Sequence, residues 1–210
     1  MISWLAGCRK GHEEEASVSI FVLTCCCRGN ASLSSLLLRE EDGGRVGILK
    51  DVFDELLTKI VDAAQVVYGE RLVSIALYGS VARGTMRHDS DMDLLVVARD
   101  IPRGRLKRVE EFEAIEETMA EDFRRAASHG INTTLSPVFK TPEEVLAGSP
   151  LFFDMVEDVR VLYDRDGFFA KKLARLRNRL TELGAKRIWQ GNAWYWDLKP
   201  DYKPGEVFEL

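Results

Sequence analysis

The sequence predicts an α/β (α+β) fold in which a small mixed sheet is covered by helices. Long segments carry apolar residues at helical spacing, and short β-rich apolar runs alternate with those segments. Of the 210 residues, 46% are hydrophobic and 30% are charged, a balance typical of a globular chain. The length suggests one domain, or one domain with an appendage, and it allows a substantial core.

Helices are predicted wherever apolar residues recur every three to four positions. They cover residues 48–68, 105–129, 150–157 and 168–183, with shorter helices after Gly79 and from Thr141-Pro142. Strands are predicted where the chain has short β-rich apolar runs. These runs are residues 72–78, 93–98, 131–139 and 159–163.

Composition excludes several classes of function. The net charge of -5 argues against a protein that depends on general attraction to the phosphate backbone of nucleic acids. No apolar run reaches the roughly 18 residues that a membrane span requires, so no membrane partner is expected. The four cysteines are Cys8 and Cys25–Cys27, which suit neither a disulfide framework nor a zinc site. They favour a reducing, cytoplasmic location.

Three regions differ in character along the chain. Residues 1–44 lack sustained periodicity and are predicted to be a poorly ordered extension ending in a loop at Asp42-Gly43-Gly44. A further hypothesis is that translation starts near residues 46–49, which would make this extension an artefact of the assigned start. Residues 45–184 form the predicted domain. Residues 185–210 form an aromatic C-terminal tail, which we expect to pack on its own domain or a partner subunit rather than stack on bases.

Two spaced aspartates carry the strongest chemical signal. Asp91 and Asp93 lie two residues apart at the start of a predicted buried strand, so both carboxylates should point the same way. Two like charges placed side by side repel each other unless a cation neutralises them. Hard oxygen ligands of this kind suit Mg²⁺ or Mn²⁺. The sequence therefore predicts a divalent metal site at the edge of a rigid sheet.

A phosphate-binding turn is predicted within fifteen residues of these aspartates. Gly79 follows a strand and allows a phosphate to approach the backbone, and Ser80 adds a hydroxyl donor. Arg83 is near enough in sequence to reach phosphate oxygens. Ser90 either caps the loop through its own hydroxyl or contacts the nucleotide directly.

This pattern of Gly79-Ser80, ten intervening residues and then Asp91-Met92-Asp93 resembles the nucleotidyltransferase superfamily of DNA polymerase beta. The signature of that superfamily is Gly-Ser, ten residues and Asp-x-Asp. The Ala82-Arg83-Gly84 segment is also similar to the small prokaryotic members. The motif covers residues 77–97, and a weaker resemblance in the pattern of elements extends from about 48 to 184.

The resemblance implies a nucleotidyltransferase-like fold and a reaction. Asp91 and Asp93 would be the catalytic carboxylates and the ligands of Mg²⁺ or Mn²⁺, while Gly79 and Ser80 would bind the β- and γ-phosphates of an NTP such as ATP. A nucleoside monophosphate would pass to an acceptor hydroxyl of a protein, an RNA or a small molecule, with release of pyrophosphate. Some small relatives act as antitoxins, so a toxin-like protein partner is an option, as is a homodimer.

One departure from the family pattern concerns a third carboxylate, which active members usually carry on a later strand. The predicted strand 131–139 contains no acid; Asn132, Thr134 and Ser136 share one of its faces. A neutral oxygen binds Mg²⁺ less strongly than a carboxylate and accepts no proton at neutral pH. Three explanations stay open: an acid such as Glu143, Glu144 or Asp158 substitutes, the acceptor supplies a ligand, or the chain is a catalytically weak nucleotide-binding or partner-binding module.

Overall fold

The computed structural model describes residues 42–191 and 193–210. The predictions for residues 1–41, including the cysteines and most of the N-terminal extension, lie outside the described residues. Two compact units divide the described chain, residues 42–173 and residues 174–210. Each unit is described separately below.

The order of elements confirms the predicted alternation of helices and strands. The helices are α1 (Asp42–Tyr68), α2 (Gly79–Ala82), α3 (Arg105–Ser128), α4 (Pro142–Ala147), α5 (Leu151–Asp158) and α6 (Phe168–Glu182). The strands are β1 (Leu72–Tyr78), β2 (Met92–Ala98), β3 (Leu135–Lys140), β4 (Arg160–Asp164), β5 (Lys186–Gln190) and β6 (Ala193–Asp197). Short 3-10 turns follow α1 and β4. No described helix is long and apolar enough to cross a membrane.

Four strands form a mixed sheet in the order β3-β2-β1-β4, which confirms the predicted fold class. Strand β1 pairs antiparallel with β2 and with β4, while β2 pairs parallel with β3. Because of these directions, β1 ends at the same edge of the sheet where β2 and β3 begin. The last residue of β1, Tyr78, is paired with Asp93.

Alternation along the strands divides the core between the two faces of the sheet. On one face, Leu77 of β1 and Leu94 of β2 are fully buried with Phe53 of α1 and Phe112 of α3. The neighbouring residues Ala76, Leu95 and Val97 point to the opposite face and are also fully buried. The strand that carries Asp93 is therefore buried on both faces of the sheet.

The start of α1 corrects one prediction. Residues Asp42, Gly43 and Gly44 lie in α1 and not in a loop at the end of an extension. Glycine has low helix propensity, yet a helix with a well-packed apolar face tolerates it in the first turn, where the backbone N–H groups lack intrahelical partners. Phe53, Leu57 and Ile60 supply that face and are buried almost completely.

The start of β3 corrects a second prediction. The predicted strand 131–139 begins at Leu135, and residues 131–134 form no ladder. Thr133 explains the difference, because its side chain is buried and its Oγ1 donates to the Ser90 carbonyl at 2.8 Å. The backbone N–H of Asn132 donates to the His88 carbonyl at 2.7 Å. These bonds bind Asn132 and Thr133 to the loop before β2 instead of to a strand.

Residues 174–210 contain a two-stranded sheet formed by β5 and β6. The strands pair antiparallel, with Lys186 opposite Asp197 and Gln190 opposite Ala193. Trp189 and Trp194 are paired across the ladder, and their ring centroids lie 4.9 Å apart. The Arg187 guanidinium lies 5.3 and 5.4 Å from the centroids of these two rings. Cation–π contacts of this kind stabilise the hairpin.

Arg108 near the start of α3 connects that helix to α4 and to the end of β3. Its guanidinium donates to both Glu144 carboxylate oxygens at 2.8 and 2.9 Å and to the Phe139 carbonyl at 3.1 Å. Glu144 also completes a capping box with Thr141. The hydrogen bond from Arg108 is the main cause that lowers the pKa of Glu144. These contacts join α3 to α4 and to the end of β3.

We predict that Glu144→Ala lowers the free energy of unfolding by about 2 kcal/mol, because it removes a bidentate ion pair and half of a capping box. Urea denaturation followed by circular dichroism measures the change. Glu117→Ala, at an exposed position of α3, is the control and should change stability by less than about 0.5 kcal/mol. Equal stability of the two variants would contradict the role given to Arg108 and Glu144.

Candidate active site

The predicted site residues meet at the edge of the sheet where β1 ends and β2 begins. Gly79 and Ser80 open α2 directly after β1. Asp91 comes one residue before β2, and Asp93 is the second residue of that strand. Since β1 and β2 are antiparallel neighbours, the Gly-Ser turn and the aspartates come together although eleven residues lie between Gly79 and Asp91.

Gly79 and Asp93 are in direct contact. The backbone of Gly79 has a φ of +77°, and a Cβ atom built on it would lie 2.0 Å from Oδ2 of Asp93. No side chain fits in that space without displacing the carboxylate. Glycine at residue 79 therefore serves the close approach of the Asp93 carboxylate as well as the turn.

The environment of Asp93 disfavours its charge. Burial is the main cause that raises the pKa of Asp93, and the negative charge of Asp91 raises it further. A hydrogen bond from Ser136 and the positive charge of Arg83 lower it in part. Two neighbouring carboxylates, one of them half-buried, form a donor set that fits a hard divalent cation.

Strand β3 and the residue before it contribute two hydroxyl groups and no acid to this edge. Thr134 Oγ1 donates to Asp91 Oδ1 at 2.7 Å. Ser136 is the register partner of Asp93, and its hydroxyl lowers the pKa of that carboxyl. Of the three residues that the sequence placed on one strand face, these two reach the aspartates. Asn132 contacts the loop through its backbone N–H.

The loop between α2 and β2 places the other predicted residues. Arg83 follows α2 and is close enough to Asp93 to lower the pKa of that group. Ser90 Oγ accepts a hydrogen bond from the Arg87 N–H at 2.8 Å, as expected of a residue that caps the loop. The Ser80 carbonyl accepts the Thr85 N–H at 3.0 Å, which closes the turn after the Gly-Ser pair. Contacts of Ser80, Arg83 and Ser90 with a nucleotide stay predictions.

Tyr78 belongs to the site and was not predicted from the sequence. It is the ladder partner of Asp93. Burial, and then the charge of Asp93, raise the pKa of Tyr78 to about 12, so its hydroxyl stays protonated at neutral pH. Its position next to Gly79 was the available signal, but only the antiparallel pairing of β1 with β2 brings it beside Asp93.

The structure also tests one acid that was considered as a third ligand. Glu144 is engaged by Arg108 and Thr141, so the hypothesis that it substitutes for the missing carboxylate is wrong. A hydrogen bond involving Thr141 is the main cause that lowers the pKa of Glu143. In residues 42–191 and 193–210, no group of three or more His, Cys, Asp or Glu side chains is arranged to hold a metal ion. The carboxylate donors at the described site are Asp91 and Asp93.

We predict that Gly79→Ala destabilises the protein by about 2 kcal/mol or more, because the methyl group overlaps the Asp93 carboxylate and the φ angle is unfavourable for alanine. Gly130→Ala is the matched control, since Gly130 has a φ of +79° and a Cβ atom added there would meet nothing within 4 Å. It reports the backbone cost alone. Urea denaturation should show the larger loss for Gly79→Ala; equal losses would mean that the contact with Asp93 is unimportant.

We predict that Asp93→Asn raises the melting temperature at pH 7.5 in EDTA by about 2 °C. A carboxyl group whose pKa is raised on folding stabilises the fold fully below its unfolded pKa, and that contribution is lost as the pH rises through the folded pKa. The gain from the neutral amide should therefore shrink as the pH falls towards about 4. Asp62→Asn, at an exposed position of α1, is the control. A lower melting temperature for Asp93→Asn at pH 7.5 would contradict the charge repulsion.

Comparison with known proteins agrees with this geometry. The family model for the nucleotidyltransferase domain matches residues 57–126, a range that includes the Gly-Ser turn and both aspartates. A protein of Methanocaldococcus jannaschii named "Putative protein adenylyltransferase MJ1305" is 33% identical over 132 residues. That alignment covers 62% of this chain and 82% of the relative.

Solved structures give weaker similarities. A toxin-antitoxin with AMP-PNP has a TM-score of 0.38 and 19% identity, over 61% of this chain and 92% of that one. A tri-AMPylated Shewanella oneidensis HEPN toxin in complex with MNT antitoxin has a TM-score of 0.36 and 15% identity, over 62% of this chain and 92% of that one. The identity and coverage of the Methanocaldococcus relative, together with the matching domain, establish that this chain belongs to the nucleotidyltransferase family and is an enzyme of that kind.

Proposed function

We propose that the protein transfers a nucleoside monophosphate from an NTP to an acceptor hydroxyl and releases pyrophosphate. The observation that carries this proposal is the contact between Gly79, which opens the Gly-Ser turn, and Asp93 of the carboxylate pair. A phosphate-binding turn and an anionic metal-binding pair are thereby adjacent. That adjacency is what a reaction at a metal-bound triphosphate requires.

Asp91 and Asp93 would hold Mg²⁺ or Mn²⁺. Their donor set fits such an ion because it consists of hard oxygen atoms whose mutual repulsion a cation relieves. When bound, the cation would neutralise the phosphate oxygens and the charge that develops on the leaving pyrophosphate. Gly79, Ser80 and Arg83 would bind the triphosphate, and Ser90 would contribute either to the loop alone or also to the nucleotide.

In the proposed reaction the acceptor oxygen forms a bond to the α-phosphorus, and the bond from that phosphorus to the β-bridging oxygen breaks. The acceptor proton passes to solvent, and pyrophosphate leaves. The protein contributes positioning and charge stabilisation, which are the main sources of rate in phosphoryl-type transfers. Tyr78, protonated at neutral pH, is a hydrogen-bond donor beside Asp93.

ATP and a protein hydroxyl are the first substrates to test. The Methanocaldococcus relative is named as a protein adenylyltransferase, a name that specifies transfer of an adenylyl group to a protein. Its alignment with this chain covers the motif region. A toxin-like protein would be one such acceptor. As a partner in assembly, a second copy of this chain in a homodimer is a further option. The cysteine content supports a cytoplasmic setting for this reaction.

A second function is favoured by one specific observation, the hydroxyls of Thr134 and Ser136 beside the aspartates in place of an acid. A site with two carboxylates binds a metal less strongly than one with three. The chain would then be a nucleotide-binding or partner-binding module, antitoxin-like in its association, with weak or no turnover.

Label transfer separates these functions. With ATP labelled at the α-phosphate and Mg²⁺ or Mn²⁺, in lysate of the source organism, the wild type should label an acceptor, and Asp93→Ala should reduce labelling at least about 100-fold. Asp89→Ala is the matched control, because Asp89 is an exposed loop acid that pairs with Arg87 at 3.6 Å. It should label normally. A wild-type preparation that binds ATP but labels nothing above Asp93→Ala would exclude the transferase and leave the binding module.

A further inference from the structure

The segment of residues 132–136 lies along the loop and strand that carry the two aspartates. The Asn132 N–H and the Thr133 hydroxyl donate to the carbonyls of His88 and Ser90, and the Met92 N–H donates to the Thr134 carbonyl at 2.8 Å. Three successive residues of one segment are thus bonded to the chain on each side of Asp91. These hydrogen bonds restrain the backbone of the loop that precedes β2.

Two hydroxyl groups of the same segment, those of Thr134 and Ser136, lie beside the two carboxylates. The Thr134 side chain donates to Asp91 Oδ1 at 2.7 Å. Ser136 lies opposite Asp93 in the parallel ladder, so the two side chains share one face of the sheet. A hydroxyl donor fixes the rotation of a carboxylate and occupies one lone pair, so the other oxygen of that carboxylate stays available to a cation.

The exposure of the three hydroxyl side chains in this segment distinguishes the one that stabilises the fold from the two that lie beside the carboxylates. Thr133 is 8% exposed, and its hydroxyl bonds a backbone carbonyl, as expected of a residue that stabilises the fold. Thr134 and Ser136 are both exposed. The hydrogen bond between the exposed side chains of Thr134 and Asp91 contributes little to stability. The value of these two contacts lies in where they place the carboxylates.

We propose that Thr134 and Ser136 are positioning residues that orient Asp91 and Asp93 for a divalent cation. The inference rests on the proposed function, because it takes these aspartates to be metal ligands. Groups that hydrogen-bond metal ligands commonly change metal affinity about 10-fold to 100-fold when they are removed. Neutral donors achieve this orientation here without adding a third negative charge to a site where two already repel.

The test is Mn²⁺ binding to the full chain without nucleotide, measured from the loss of the free Mn²⁺ signal in electron paramagnetic resonance. Thr134→Val keeps the shape of the side chain and removes the donor, and we expect it to weaken Mn²⁺ binding about 10-fold. Thr134→Ser keeps the donor and should bind within about 2-fold of the wild type. Ser136→Ala should weaken binding in the same way as Thr134→Val. Thr118→Val is the control, because the exposed Thr118 hydroxyl bonds the Ala114 carbonyl of its own helix, away from the aspartates.

Melting temperatures without metal show whether a variant is merely less stable. Thr134→Val should melt close to the wild type, so that a loss of Mn²⁺ affinity reports orientation and not unfolding. Wild-type affinity in both Thr134→Val and Ser136→Ala would overturn the inference and leave the proposed function intact. Equal weakening in Thr134→Ser and Thr134→Val would also overturn it, since the hydroxyl would then be irrelevant. A wild type that binds no Mn²⁺ would overturn the metal site of the proposed function and this inference with it.

Discussion

The Asp93 carboxylate lies so close to the backbone of Gly79 that a single methyl group at residue 79 would overlap it. This contact requires the antiparallel pairing of β1 and β2, because only that pairing brings the turn after β1 beside the start of β2. It also requires a rigid sheet, and the buried residues on both faces of β2 provide one. Fold and site are therefore linked at one point, where the end of one strand meets the beginning of another.

Electrostatic cost is the second constraint on the site. Asp93 is half-buried beside Asp91, and the fold offsets that cost in part with the hydroxyl donors Thr134 and Ser136 and with the charge of Arg83. The remaining cost is characteristic of a site whose final neutralising partner is a ligand. A divalent cation with a bound triphosphate meets that requirement, and the nucleotidyltransferase family to which the chain belongs uses substrates of this kind.

The sequence predicted those features that depend on local pattern. Strand β1 was predicted with the same bounds, and the spacing from Gly79-Ser80 to Asp91 and Asp93 identified the groups that meet at the edge of the sheet. Features that depend on tertiary contacts were missed. The start of β3 was placed four residues early because the bonds of Thr133 and Asn132 to a distant loop cannot be read from periodicity. The role of Tyr78 depends on strand direction, which the sequence alone left open.

The most direct test of the central claim is a crystal structure of the protein with Mn²⁺ and a non-hydrolysable NTP analogue, using anomalous scattering to locate the metal. The account predicts a manganese peak about 2.2 Å from carboxylate oxygens of both Asp91 and Asp93, with the triphosphate against Gly79 and Ser80. Manganese bound away from these carboxylates, or a triphosphate bound elsewhere on the chain, would contradict it.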